Sequence, residues 1–340
     1  MYSLAALTRG TALASLAANV GIVITGGAVR LTGSGLGCPT WPKCTAESLT
    51  ATPEMGINGA IEFGNRLLTF VVGVLAVAGF VLAVKLARQA RAEGVAGPAE
   101  RGMVRWSAWT AASIPAQAAW GGLTVLTNLN PWIVGLHFMV SIGIIFAAYG
   151  FWQSTRSRRI DGVPAELRWL AVAVGAVALG VLVIGTMVTG SGPHAGDQGA
   201  ARNGLDPAQI SQVHADLVFL LLGLSVAAWL ALRAVGAPTA AKAALILIAT
   251  LLGQGLIGFV QYFTHLEPIL VGVHMFGACL VWIAALHLCW SVLAGTPRAA
   301  VPPSGPPERL SAEPPGVQSA GRSLEDNLTV ANAAGARERS

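Results

Sequence analysis

Thr127-Asn128-Leu129-Asn130-Pro131 and Thr264-His265-Leu266-Glu267-Pro268 are two copies of one segment, set 137 residues apart. The same offset, without a gap, pairs Gln117 with Gln254, Gly121 with Gly258, and Gly135-Leu136-His137 with Gly272-Val273-His274. Agreement sustained over about 20 residues and ending on a histidine marks an internal duplication, which sets the architecture before any other signal is read. Upstream, Thr32-Gly33-Ser34-Gly35 matches Thr189-Gly190-Ser191-Gly192. The chain reads as two tandem halves of one design.

Apolar runs surround these copies, near residues 12–29, 60–84, 103–126, 132–153, 168–189, 209–232, 240–263 and 269–293. Each supplies the roughly 20 residues that cross about 30 Å of hydrocarbon as a helix. A helix also satisfies its own backbone groups, which lipid cannot do. The chain is 54% hydrophobic and 11% charged, with a mean hydropathy of +0.63. A soluble domain carries about 25% charged residues, so a water-covered globule of this length is excluded. A cleaved signal peptide is the alternative for the first run. The duplication favours keeping that run, because it is the partner of the fifth.

The expected fold is therefore an all-α membrane protein of eight transmembrane helices, arranged as two tandem pseudo-symmetric four-helix bundles over residues 1–155 and 156–295. Four is even, so both halves cross in the same sense, as parallel repeats do about an axis along the membrane normal. From Thr296 the chain turns to Pro, Ala, Gly, Ser and scattered charge, and residues 296–340 read as a disordered cytoplasmic tail.

Lysine and arginine set the orientation. Lys85, Arg88, Arg91, Arg101 and Arg105 follow the second run, Arg156, Arg158, Arg159 and Arg168 the fourth, and Arg233 and Lys242 the sixth, while Arg9 precedes the first. The alternate loops hold only Arg30, Lys43 and Arg202. The positive-inside rule then places both termini in the cytoplasm of a multi-pass plasma-membrane protein. The net charge of +5 reflects this topology and gives no reason to expect nucleic-acid binding.

His137, His214 and His274 each sit inside an apolar run, six or seven residues past the proline that opens it. At 1.5 Å per residue all three lie about 9–10 Å below the outer ends of their helices. Ionisable side chains at such depth are costly and mark function. The competing reading, a histidine that only hydrogen-bonds a neighbouring helix, is weakened by the repetition at matched depth. A neutral imidazole coordinates haem iron through one nitrogen while the other is oriented by a hydrogen bond. His214 and His274, facing one another across a bundle, are the pair expected to hold a haem on both sides. Other metal sites fit less well, since there is no HxxxH or CxxC cluster. Gly33, Gly35 and Gly37 follow a transmembrane run, not a strand, which argues against a phosphate loop. His265 and His287 read as structural.

In the front half the position equivalent to His214 is Asn65, with Glu62 and Arg66 beside it. Glu62 and Arg66 form an i,i+4 ion pair on the bland reading. On the functional one, Glu62 is a carboxylate one turn from a haem-sized cavity and Arg66 faces a haem propionate. Cys38 and Cys44 flank Pro39-Thr40-Trp41-Pro42-Lys43 in the first outer loop. Their spacing permits a disulfide on an oxidising side; a free redox pair or a thiol contact to a haem substituent are the other readings. Cys279 and Cys289 read as small core residues.

These residues resemble the haem A synthase family over roughly residues 10–293. The most specific parts are Gly33-Ser34-Gly35-Leu36-Gly37-Cys38 with Trp41-Pro42 and Cys44, the segment Glu62 to Arg66, Gly135-Leu136-His137-Phe138, and the paired His214 and His274. The resemblance implies an oxidoreductase that converts the C8 methyl of haem O to a formyl group, giving haem A for cytochrome oxidase. It implies a resident haem b on His214 and His274 as cofactor. Haem O would be processed in the front half, with His137 as axial ligand and Glu62 essential to the chemistry. Haem O synthase and an electron donor are the implied partners, and a homo-oligomer is left open. The chain departs from the family at Asn65, where a histidine is common, and in the loop Gly190 to Pro207, which lacks the second cysteine pair of some members. Two other classes stand beside this reading: a bis-histidine cytochrome b for electron transfer, and a transporter built on parallel repeats.

Overall fold

The computed structural model describes residues 3–156 and 161–295. Arg158 and Arg159 of the basic loop, and the expected tail 296–340, lie outside the described residues. Eight α-helices fill the described part: α1 Leu4–Leu31, α2 Gly56–Ala92, α3 Pro98–Leu126, α4 Pro131–Ser154, α5 Ala165–Ser191, α6 Pro207–Ala234, α7 Pro238–Phe263 and α8 Pro268–Leu293. Five of them open on proline at the first helical position, where the missing N–H has no helical partner to lose.

The duplication is visible in the backbone. α3 and α7 end, and α4 and α8 begin, at positions related by the sequence offset. The turns between them place equivalent residues in the left-handed region, Asn128 and Leu129 at φ 51° and 57°, His265 and Leu266 at φ 56° and 64°. Equivalent hydrogen bonds close both turns, Leu129 N–H to Thr124 O and Leu266 N–H to Gln261 O. His265 thus has a conformational role, as the sequence suggests.

Seven of these helices are long and apolar enough to cross a membrane; α3 is not among them. It has the length, but Glu100, Arg101 and Arg105 occupy its first turns, and Thr110, Ser113, Pro115 and Gln117 interrupt the rest. α2 runs well past the apolar run at 60–84, because Lys85, Ala87, Arg88 and Gln89 are good helix formers that need no burial. Large side chains face outward along the spans, among them Phe70 at 73% exposure, Trp169 at 74% and Phe219 at 60%. Such apolar outer faces suit lipid and not water.

α1 packs on α2, α4 and α8; α2 on α3; α3 on α4; α5 on α6 and α8; α6 on α7; α7 on α8; and α4 also touches α5 and α8. The largest core combines Leu16 and Val20 of α1, Ile142, Ile145 and Tyr149 of α4, Val174 of α5, Leu221 of α6, Leu247 of α7 and Leu288 of α8. Alanines 240, 241, 243 and 244 line the buried face of α7, since small residues let membrane helices approach closely. Trp282 of α8 donates to Ile142 O of α4 at 3.1 Å. Around His287 a polar group is enclosed: its Nδ1 lies 3.1 Å from Tyr149 Oη, which also contacts Gln153 Nε2. Cys279 is buried and Cys289 Sγ rests 3.2 Å from Ala171 O, both as core residues.

Two charged side chains finish helix ends from a distance. Arg168 of α5 donates to Val292 O, Leu293 O and Gly295 O at the end of α8, which a cation favours. Asp161 accepts from Thr239 N–H at 2.8 Å and Ala240 N–H at 3.3 Å. It supplies the cap that Ala237 lacks at the start of α7. Asp161→Ala is expected to lower stability by about 1 kcal/mol, seen as an earlier midpoint when the detergent-solubilised protein is unfolded.

Candidate functional site

The three intramembrane histidines share one kind of seat. Each ring leans on a glycine of the preceding helix: His137 of α4 on Gly121 of α3, His214 of α6 on Gly185 of α5, and His274 of α8 on Gly258 of α7. A methyl group on these glycines would stand 3.2, 3.2 and 3.3 Å from the imidazole Cε1 atoms. That is inside ordinary carbon contact, so glycine is what admits the ring. The rings are not turned alike. In His214 and His274 the next atom toward the glycine is Nδ1, whereas in His137 it is Nε2.

Nδ1 of all three is buried and makes no hydrogen bond. His214 stands on α6 and His274 on α8 of the same half, and Val181 lies one turn before the glycine bed of His214. In the front half and in the back half a glutamine touches the same point. Gln117 Nε2 donates to His137 O at 2.9 Å and Gln254 Nε2 to His274 O at 2.7 Å.

The fourth seat differs. Asn65 of α2 stands near Gly26 of α1, and Thr25 Oγ1 donates to Asn65 Oδ1 at 2.7 Å. The one atom of this amide able to donate electrons to a metal is thus already engaged.

In His214 and His274 the unpartnered Nδ1 is the nitrogen nearer the glycine bed, so a metal would have to be taken by Nε2; in His137 Nε2 is the nearer one and Nδ1 is left unpartnered. Among the described residues no three His, Cys, Asp or Glu gather for a metal ion. A haem brings its own equatorial nitrogens and asks the protein for one or two axial ligands only. One imidazole or two, each on a glycine bed, could meet that demand. In the back half His214 and His274 could hold such a group, and in the front half His137.

Glu62 and Arg66 come together as their spacing suggests, with Arg66 Nη2 2.5 Å from Glu62 Oε1. Glu62, only 6% exposed, accepts from Cys38 N–H through its other oxygen at 2.6 Å. The sequence places Arg66 toward a haem propionate. In the structure its guanidinium donates to Cys38 O, Thr40 O and Lys43 O. The pair clamps the first outer loop onto α2. Within that loop Cys38 and Cys44 form a disulfide with their Cα atoms 4.4 Å apart, so of the readings open in the sequence the disulfide holds. The Trp41 ring of the same loop covers Gly122 of α3, one residue beyond the bed of His137.

One histidine escapes the sequence reading. His194 lies in the loop between α5 and α6, with Nε2 2.8 Å from Leu266 O. Arg30, at the end of α1, donates to His194 O at 2.6 Å and to Thr189 O at 2.9 Å. Gly35 N–H donates to Gly196 O at 2.8 Å. The outer loops of the two halves are therefore latched together. His194 belongs to no apolar run and has no repeated counterpart, so no pattern in the sequence singles it out.

The COX15-CtaA model of cytochrome oxidase assembly proteins matches residues 9–195. The chain belongs to that family. No curated protein matches it closely enough to count as a relative. The family match takes in Glu62, Asn65, Arg66, His137 and the disulfide loop, and stops before His214 and His274. For those two the internal duplication and the shared glycine bed carry the comparison.

Removing Arg66 would leave Glu62 buried without its counter-charge and the loop without three of its anchors. Arg66→Ala is expected to cost on the order of 3 kcal/mol and to free the 38–44 loop, which faster amide-hydrogen exchange confined to that loop would register.

Proposed function

We propose that the protein is a haem A synthase, which oxidises the C8 methyl of haem O to a formyl group in cytochrome oxidase assembly. The observation that carries this reading is the asymmetry of the seats. One half carries histidine on both of its equivalent seats, His214 and His274; the other carries His137 on one seat and, on the other, an amide tied down by Thr25. A fixed cofactor and a substrate that must be released need different grips, whereas an electron-transfer cytochrome b would want two alike. The transporter reading is disfavoured because the histidines lie off the midplane, where such proteins hold their substrate.

In this reading all eight helices span the plasma membrane as two four-helix bundles, substrate half 1–155 and cofactor half 156–295, with both termini cytoplasmic. α3 crosses in spite of its polarity because α2 and α4 flank it. His214 and His274 hold haem b, which when bound supplies one-electron transfer. His137 orients the substrate haem O. Asn65 keeps its carbonyl on Thr25 and, where its back-half counterpart His214 has an imidazole, would offer the substrate only an amide. Glu62 lies three residues from Asn65 on the same helix, and its carboxylate can stabilise charge that develops at the methyl group or relay a proton toward the outer surface. Arg66 and the Cys38–Cys44 loop hold that carboxylate and cover the site. An electron donor and haem O synthase are the partners this chemistry calls for, and lipid is the surrounding solvent.

Pyridine haemochrome analysis of the purified protein supplied with haem O tests the reading. Haem b together with haem O or haem A supports it; two haem b per chain would establish the cytochrome instead, and a haem-free protein transport. His214→Ala and His274→Ala are each expected to abolish the low-spin haem b signal while the protein still inserts. A single imidazole leaves iron high-spin and two make it low-spin, so Asn65→His is expected to turn a high-spin front-half signal low-spin by electron paramagnetic resonance. Parent protein loaded with haem O that shows only low-spin iron would remove the single-histidine site.

A further inference from the structure

Gln117 and Gln254 do more than bridge two helices. Each is followed one turn later by the glycine on which a histidine ring rests, Gly121 and Gly258. Each donates its amide hydrogen to the backbone oxygen of that same histidine. The glutamine holds the main chain of the residue and the glycine receives its ring. A side chain that only glued helices would have no reason to choose, in both halves, the carbonyl of the histidine. The α5–α6 pair lacks the device, since Val181 stands one turn before Gly185.

The two glutamines are bedded differently. Gln117 also donates to Ser141 Oγ at 2.6 Å. Gln254 lies instead across Gly277 of α8, so closely that a Cβ there would fall 1.8 Å from its Oε1. A side chain at Gly277 would push the Gln254 amide from its place, and with it the donor to His274 O. Both glutamine Oε1 atoms are buried without a hydrogen bond, so the amides are held by their donor ends and by packing.

We propose that Gln254 and Gln117 are positioning residues, which fix the rotation of α8 and α4 and so aim the imidazoles of His274 and His137 at iron. The proposal rests on the haem reading above. Groups one step removed from a metal ligand typically change affinity 10- to 100-fold when lost.

The test compares purified, haem-loaded parent with Gln254→Leu and Gly277→Ala by three measurements: the g values of low-spin haem b, its midpoint potential, and its rate of transfer to apomyoglobin. Both variants are expected to shift the g values and the potential, and to lose haem b roughly 10- to 100-fold faster. Gln117→Leu is expected to alter the front-half signal and spare haem b. Gln254→Met keeps the side-chain length without the donor, and is read in place of the leucine variant if that one fails to accumulate. Parent-like g values, potential and haem loss in a folded Gln254 variant would overturn the proposal and leave the haem reading standing. A parent without low-spin haem overturns the haem reading itself, and the positioning role with it.

Discussion

Between Gly258 and the ring of His274 there is no room for one methyl group at ordinary contact distance, and the rest of the site follows from that constraint. A polar ring inside a bilayer cannot turn to water, so its direction is decided by the surface behind it. Glycine lets the imidazole press onto the neighbouring helix, where it cannot swing freely. Three seats of this kind, and a fourth where Asn65 stands near Gly26, repeat one local geometry through the scaffold.

The outer loops are built on a second principle, charge spent on backbone. Arg66 reaches three carbonyls of the first outer loop, and Arg30 reaches one in the loop after α5 and one in the last turn of α5 itself. Near the membrane surface such carbonyls would be poorly hydrated, and a guanidinium with five donors is well suited to gather them. Glu62 balances one of these cations and is itself held by the Cys38 amide. The carboxylate assigned to the chemistry is therefore part of the clamp on its own cover, which couples the position of the loop to the state of the acid.

Much of this was legible in the sequence. The duplicated segment located the matched helix ends, the left-handed turns and two of the three histidine seats, because periodicity and repetition are local properties of a chain. Gln117 and Gly121 were visible as aligned letters, but their contacts with His137 depend on how α3 rolls against α4, which no local pattern encodes. The i,i+4 spacing showed the pairing of Arg66 with Glu62, but the loop carbonyls of Arg66 and the contact of His194 did not register, because those acceptors come from other segments. In α3 the polar residues Ser107, Thr110 and Thr124 are buried against other helices, and Gly121 seats the His137 ring, neither of which hydropathy reveals.

Glycine and histidine of every seat belong to consecutive helices, joined by short connections in α3–α4 and α7–α8 and by the longer loop 192–206 in α5–α6. Each seat can be complete as soon as its own hairpin has entered the bilayer, long before the whole chain is made. His214 and His274, by contrast, sit on different hairpins, and nothing local brings them to face each other. A haem bound between them would act as a rivet, joining two prefabricated hairpins late in assembly, and its arrival would mark the moment at which the back half becomes a single body.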